Sequence, residues 1–171
     1  GTNRKATMTR LSTYMATKIG GGLVFIASSG AISDAATADF TGFDSSLYDH
    51  YEFWFQNVIP VTDNVSFFGY AAVSGTSYDV TDGNYIYGAS GSSTGFFLGS
   101  QVGSASNEFG VSGTLNIFSP HLTAWTYARS QALYTNQGGE THNVDSNNMF
   151  ENTGSLTAIR FAFSSGNIES G

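Results

Sequence analysis

A chain of 171 residues with no cysteine can bury one full core but offers no disulfide framework, thiol nucleophile or Cys-type zinc site. Only 11% of its residues are charged, against roughly 25% in an average soluble domain, so its surface must be built from hydroxyls, amides and aromatics. Arg4, Lys5, Arg10 and Lys18 hold most of the positive charge; the rest sets Arg129 and Arg160 against 13 carboxylates, a net of −11 that argues against nucleic-acid binding.

Aromatics make up 15%, with 21 Gly and 2 Pro, the usage of many short strands joined by tight turns. No apolar run approaches the ~20 residues of a membrane-spanning helix, and no membrane insertion is expected. The chain opens without an initiator Met and stops straight after a turn, which reads as two cut ends.

From Lys5 to Ile19 the apolar residues Met8, Leu11, Met15 and Ile19 recur at helical spacing, and Gly20-Gly21-Gly22 stops the pattern. The stripe is narrow, like the seam of a helix that packs on its symmetry mates; a helix folded onto its own domain is the other reading. Residues 1–21 are therefore expected to form a helical segment that could serve as a self-associating stem, and residues 22–171 a β-domain.

Leu23–Ala27 and Ala36–Thr41 are expected as short strands. Leu47–Ile59 is the strongest strand signal: Tyr51, Phe53, Phe55 and Ile59 alternate with His50, Glu52, Trp54 and Gln56, which gives one aromatic buried face and one wet face. Pro60–Asn64 turns the chain into a return strand with Val65, Phe67, Gly69, Ala71 and Val73 on one face, so Leu47–Val73 is expected as an antiparallel hairpin. Asp82-Gly83-Asn84 carries the signal of a type I′ turn. Tyr85–Tyr87 is a strand, Ser90–Gly95 a surface loop, and Phe96–Leu98 a further strand. Phe109–Phe118 follows with Leu115 and Ile117 inside.

Leu122–Tyr134 places Ala124, Thr126, Ala128, Ser130 and Ala132 on one face and Trp125, Tyr127, Arg129, Gln131 and Leu133 on the other. The small face admits a close layer. The long face resembles an interface patch, with a two-faced interior strand as the alternative. Asn147–Glu151 and Ile159–Phe163 complete eight to ten strands. Without helices between them they must pair antiparallel, which predicts an all-β, jelly-roll-like two-sheet β-sandwich with a short N-terminal helix.

Catalytic chemistry is hard to place. His50, His121 and His142 are far apart in sequence, no nucleophile or phosphate-loop motif occurs, and nothing selects a carboxylate pair. Asp79, Asp82 and Asn84 form the best oxygen-rich cluster, but their spacing is not that of an EF-hand and turn capping accounts for Asp82. The expectation is no enzyme, no cofactor and no metal. Trp54, Trp125, Tyr127 and Arg129 are the candidate binding residues, and Met8, Leu11, Met15 and Ile19 the candidate oligomerisation residues.

Tyr48–Val65 (YDHYEFWFQNVIPVTDNV), Ser112–Pro120 (SGTLNIFSP) and Ile159–Gly171 (IRFAFSSGNIESG) together resemble a β-rich domain of tail-fibre-like bacteriophage virion proteins, the type found in marine and cyanobacterial phages. The likeness runs from about Gly22 to the end. It implies a structural virion protein, a homotrimer contacting other virion proteins, used for adhesion to host surface glycans or for decorating the particle. It also implies one further short strand after Gly171, and a preceding attachment segment over Gly1–Ile19.

Overall fold

The computed structural model describes residues 23–44 and 47–171. The expected N-terminal helix, with Met8, Leu11, Met15 and Ile19, lies outside the described residues. Twelve strands follow: β1 Ser33–Ala35, β2 Ala38–Thr41, β3 His50–Pro60, β4 Val65–Ala72, β5 Tyr85–Tyr87, β6 Gly91–Ser93, β7 Phe96–Val102, β8 Val111–Phe118, β9 Thr126–Thr135, β10 Thr141–Phe150, β11 Ala158–Phe163 and β12 Ile168–Ser170. They form an eight-stranded sheet, β1-β12-β3-β8-β9-β10-β5-β6, and a four-stranded sheet, β2-β11-β4-β7, with every pairing antiparallel. The described residues are all-β and form an antiparallel β-sandwich. The only consecutive strands that pair are β5–β6, β8–β9 and β9–β10; every other connection passes from one sheet to the other, the habit of a jelly roll.

That habit overturns the expected Leu47–Val73 hairpin. β3 lies in the large sheet between β12 and β8, whereas β4 lies in the small sheet between β11 and β7. The connecting residues are held from outside rather than closing on themselves. Val61 N donates to the Asn167 carbonyl at 2.9 Å and Asn64 N to the Val102 carbonyl at 3.0 Å, with Asn64 at φ 60°. Turn residues mark a reversal of direction but not the sheet into which the chain returns.

The alternation in β3 holds to Phe55 and then slips. Tyr51, Phe53 and Phe55 face the core, while Glu52, Trp54 and Gln56 face outward. A bulge between Phe55 and Val58, with Asn57 at φ 51°, then brings Val58 inside in place of the expected Ile59. Ser112 supports the bulge: its hydroxyl accepts from Asn57 N at 2.8 Å and donates to Asn57 Oδ1 at 3.1 Å.

Phe40, Phe53, Phe55, Phe67, Phe161 and Phe163 interleave at the centre of the sandwich, with ring centroids 4.9–6.3 Å apart. At the other end Tyr85 stacks on Phe150 at 4.7 Å, and its buried hydroxyl donates to the Asp79 carbonyl at 3.0 Å and accepts from Ala71 N at 2.9 Å. Burial pushes the Tyr85 phenol far up from its ordinary pKa.

β9 alternates buried and exposed from Thr126 to Leu133, with the small residues inside. Their size lets the edge strand β7 close on β9 and β10. Asn148 Oδ1 accepts from Phe97 N at 2.9 Å, Ser130 Oγ donates to the Phe97 carbonyl at 2.8 Å, and Asn148 Nδ2 donates to Ser130 Oγ at 3.0 Å. This clasp satisfies both edge groups of Phe97 with side chains from the opposite sheet. Asn148→Ala leaves the Phe97 amide and the Ser130 hydroxyl short of a buried partner and is expected to cost about 1–3 kcal/mol in urea unfolding. Asn148→Asp, which keeps the acceptor but buries a charge, should cost at least as much.

Three smaller expectations also change. Leu23–Ala27 belongs to no strand among the described residues. Ser90–Gly95, expected as a loop, contains the edge strand β6, which pairs through its backbone with β5 and needs no apolar side chain. In the Asp82-Gly83 turn only Gly83 has positive φ, 92°, and the turn leads into β5 rather than joining two paired strands, so it is not type I′.

Candidate binding face

The strand registers fix what the large sheet shows to solvent. Trp54, Thr114, Gln131 and Asp145 lie side by side across β3, β8, β9 and β10. Glu52, Asn116, Arg129 and Asn147 form the next row, and His50, Phe118, Tyr127 and Met149 the one after it. Each row crosses four strands at about 4.8 Å spacing, so the face is a panel that mixes the amides Asn116, Gln131 and Asn147 and the Thr114 hydroxyl with the charged Glu52, Arg129 and Asp145, and carries the largely aromatic row of His50, Phe118, Tyr127 and Met149 along one side. Trp54, Tyr127, Leu133 and Phe118 are exposed, Trp54 at 76%.

Contacts within the panel are local. His50 Nε2 lies 3.0 Å from Asn116 Oδ1, and the His50 ring stacks on Phe118 at 5.1 Å. Asp49 Oδ1, from the residue before His50, lies 3.6 Å from His121 Nδ1, beyond hydrogen-bonding distance. Arg129 grips Asp145 with three hydrogen bonds of 3.0–3.1 Å. Arg160, on the small sheet, is held by Asp39 at 2.7 and 2.8 Å, and that guanidinium keeps the Asp39 carboxyl below its ordinary pKa. Both arginines of the described residues are therefore paired, and with Glu52 also on the panel its net charge is negative, which disfavours anionic partners.

Of the sequence-predicted binding residues, Tyr127 and Arg129 stand two apart on the outward side of β9, and Trp54 stands on the same face. Trp125 is half exposed just ahead of β9. Its position is six residues from Gln131, the β9 residue in Trp54's row, or about 20 Å along the strand. The two tryptophans therefore cannot clamp one small ligand. Sequence reading missed Phe118, Met149, Thr114 and Asn116; the inward assignment of Leu115 and Ile117 already implied the outward side for their neighbours.

Asp79 and Asp82 are committed to turns. Asp79 accepts from Thr81 N and Asn84 Nδ2, both at 2.8 Å, and Asp82 accepts from the Ser92 hydroxyl at 2.8 Å. Among the described residues no group of three or more His, Asp or Glu is arranged to hold a metal ion.

One border of the face is open. Among the described residues β12 lies against β3 only at Ile59 and Pro60, and the earlier part of β3 pairs on its β8 side alone. Ser119 N donates to the Asp49 carbonyl at 2.7 Å, which points the backbone groups of odd-numbered residues toward β8 and those of His50, Glu52 and Trp54 toward the open side. A cleft of about 780 Å³ separates this edge from the extended segment Leu23–Ser29. Leu23, Val24, Phe25 and Ile26 are all exposed along it. An apolar segment beside a bare strand edge invites association between chains. The double variant Leu23→Lys/Phe25→Lys is expected to keep the thermal midpoint and to lower concentration-dependent light scattering. Unchanged scattering would show that this edge is not the adhesive surface.

No protein-family model, curated protein or solved structure matches this chain.

Proposed function

We propose that the chain is a non-catalytic contact module of a bacteriophage virion, a tail-fibre or appendage protein that assembles as a homotrimer and adheres to the host surface. The observation that supports this most is the outward face of the large sheet: rows of amides, hydroxyls and aromatics left bare, with their one arginine already paired. Such a face is suited to lying against another surface rather than to enclosing a substrate. The three segments that carry the resemblance fall on β3, on β8 and on β11–β12, and β8 and β12 are the two strands that border β3. In this reading residues 1–21 form the attachment segment, and Met8, Leu11, Met15 and Ile19 the seam between copies.

Light scattering on residues 1–171 and on a chain beginning at Gly22 tests the assembly: the full chain should be trimeric, and the shorter one, which keeps Leu23–Ile26, should lose the trimer and retain only the concentration-dependent association of that edge. Monomers in both cases at micromolar concentration would rule out the stem.

A second reading, a receptor- or carbohydrate-binding module, is favoured by the 76% exposure of Trp54 and the 47% exposure of Trp125. A glycan array with Trp54→Ala and Trp125→Ala controls separates it from a purely structural role, because sugar stacking on either ring would vanish with that ring. A capsid decoration protein is the variant of the first reading in which the same face lies on the particle itself.

A further inference from the structure

β1 and β3 both flank β12, and both pairings are antiparallel, so β1 runs in the same direction as β3. The residues ahead of β1 therefore run back beside the earlier part of β3, one strand position away, and Ile32 N donates to the Gly171 carbonyl at 2.8 Å on the way. Among the described residues, β12 fills this lane beside Ile59 and Pro60, and the cleft between Leu23–Ser29 and the start of β3 continues it. Phe40 and Phe43 lie 5.6 and 6.0 Å from Phe53, ring centre to ring centre, and all three are only half-buried where they line the cleft. The wall formed by β3 presents the N–H and carbonyl groups of His50, Glu52 and Trp54, one pair at every second residue.

We infer that this lane receives a strand from a second copy of the chain, formed by that copy's Leu23–Ile26. Backbone groups spaced by two residues are matched by another strand. Among the described residues, Leu23–Ile26 is the one run of four large apolar residues that is exposed throughout and paired with no strand. Leu23 and Phe25 are 77% and 80% exposed, Val24 and Ile26 53% and 49%, which is the two-residue period of a strand. Leu23–Ser29 carries no charge, so it passes Asp49 and Glu52 without the repulsion an acidic strand would meet. Inserted beside β3, it sets one row of side chains over Phe40, Phe43 and Phe53 and the other beside Glu52 and Trp54. Pairing of two β3 edges would leave the four apolar residues bare, whereas exchange covers them and the edge together. The inference uses the border of the large sheet and not its panel, so it stands apart from the adhesion reading.

The chain has no cysteine, so two introduced thiols report only on each other. The test mixes the full chain carrying Glu52→Cys, under oxidising conditions, with a chain carrying Val24→Cys and, separately, with one carrying Phe25→Cys. A strand in the lane turns one of residues 24 and 25 to the side of Glu52 and the other to the rings. One mixture should therefore give about tenfold more disulfide-linked mixed dimer than the other. Amide exchange should agree: the N–H groups of His50, Glu52 and Trp54 should exchange about tenfold more slowly in the concentrated unmodified protein than in Phe25→Pro, which cannot complete the strand but should keep the thermal midpoint. Equal cross-linking in both mixtures, or none in either, would overturn the inference. So would equal exchange at those amides in the two proteins. So would a chain carrying both cysteines that closes its own disulfide in preference to linking a second chain, because the lane would then be filled from within.

Discussion

Phe161→Ala is expected to lower the unfolding free energy by about 3–5 kcal/mol, a large share of what holds an ordinary domain together. Phe161 is buried at the crossing point of the two sheets, with ring centroids 5.3–6.3 Å from those of Phe40, Phe53, Phe55 and Phe67. Four other rings lose a neighbour when it is truncated, and they belong to β2, β3 and β4, so both sheets and the edge strand β2 are affected. The surrounding rings are large and rigid and collapse poorly into the space left behind. Urea unfolding should show a lower midpoint with the slope preserved. Phe109→Ala is the control: that ring is 71% exposed, and its loss should change stability by no more than about 0.5 kcal/mol.

Gly110→Ala is expected to be nearly as severe, at about 2–5 kcal/mol, for a different reason. Gly110 has φ 59°, a backbone conformation disfavoured for residues with a Cβ. A methyl group there would also collide with the Val58 carbonyl oxygen and crowd the Ile59 side chain. The collision falls on the bulge that turns Val58 into the core, so relief requires β3 and β8 to move apart where Ser112 ties them together. The loss should therefore appear both as reduced stability and as faster amide exchange at Asn57 and Val58. Gly139→Ala separates strain from collision, since Gly139 has φ 77° and nothing within 4 Å of the added carbon. It should cost only the strain, about 1–2 kcal/mol.

These two positions also mark how far the sequence could be read. The inward set Tyr51, Phe53 and Phe55 and the small buried face of β9 follow from a period of two, because each strand has one face packed and one wet. The bulge at Asn57 does not follow from it: nothing in the local sequence shows that Gly110 and Ser112 will meet that strand from the other side. The supposed β3–β4 hairpin fails for a related reason, since neither its strands nor its turn residues encode which sheet receives the returning chain. β6 escapes notice because Gly91, Ser92 and Ser93 become a strand only through the edge that β5 offers. Leu23–Ala27 is the converse, an apolar run that pairs with no strand among the described residues.

The outward parity of the candidate face was legible, but its layout was not. Parity puts Trp54, Tyr127 and Arg129 outward, and the low charge of the chain anticipates their polar surroundings. The rows that join them to Thr114, Asn116, Gln131 and Met149 depend on the register of four strands. The distance between Trp54 and Trp125 depends on it too.

Acrylamide quenching of tryptophan fluorescence probes the central claim most directly, because Trp54 and Trp125 are the only two tryptophans and both are at least partly exposed, Trp54 on the outward face of the large sheet and Trp125 just ahead of β9. In the dilute free chain both should be quenched readily. When the protein is seated in the assembled particle or bound to envelope fragments of the host, quenching should fall, and Trp54→Phe and Trp125→Phe should show which end of the panel is covered. Quenching that stays the same in both settings would mean that the panel touches nothing, and the contact-module account would be wrong.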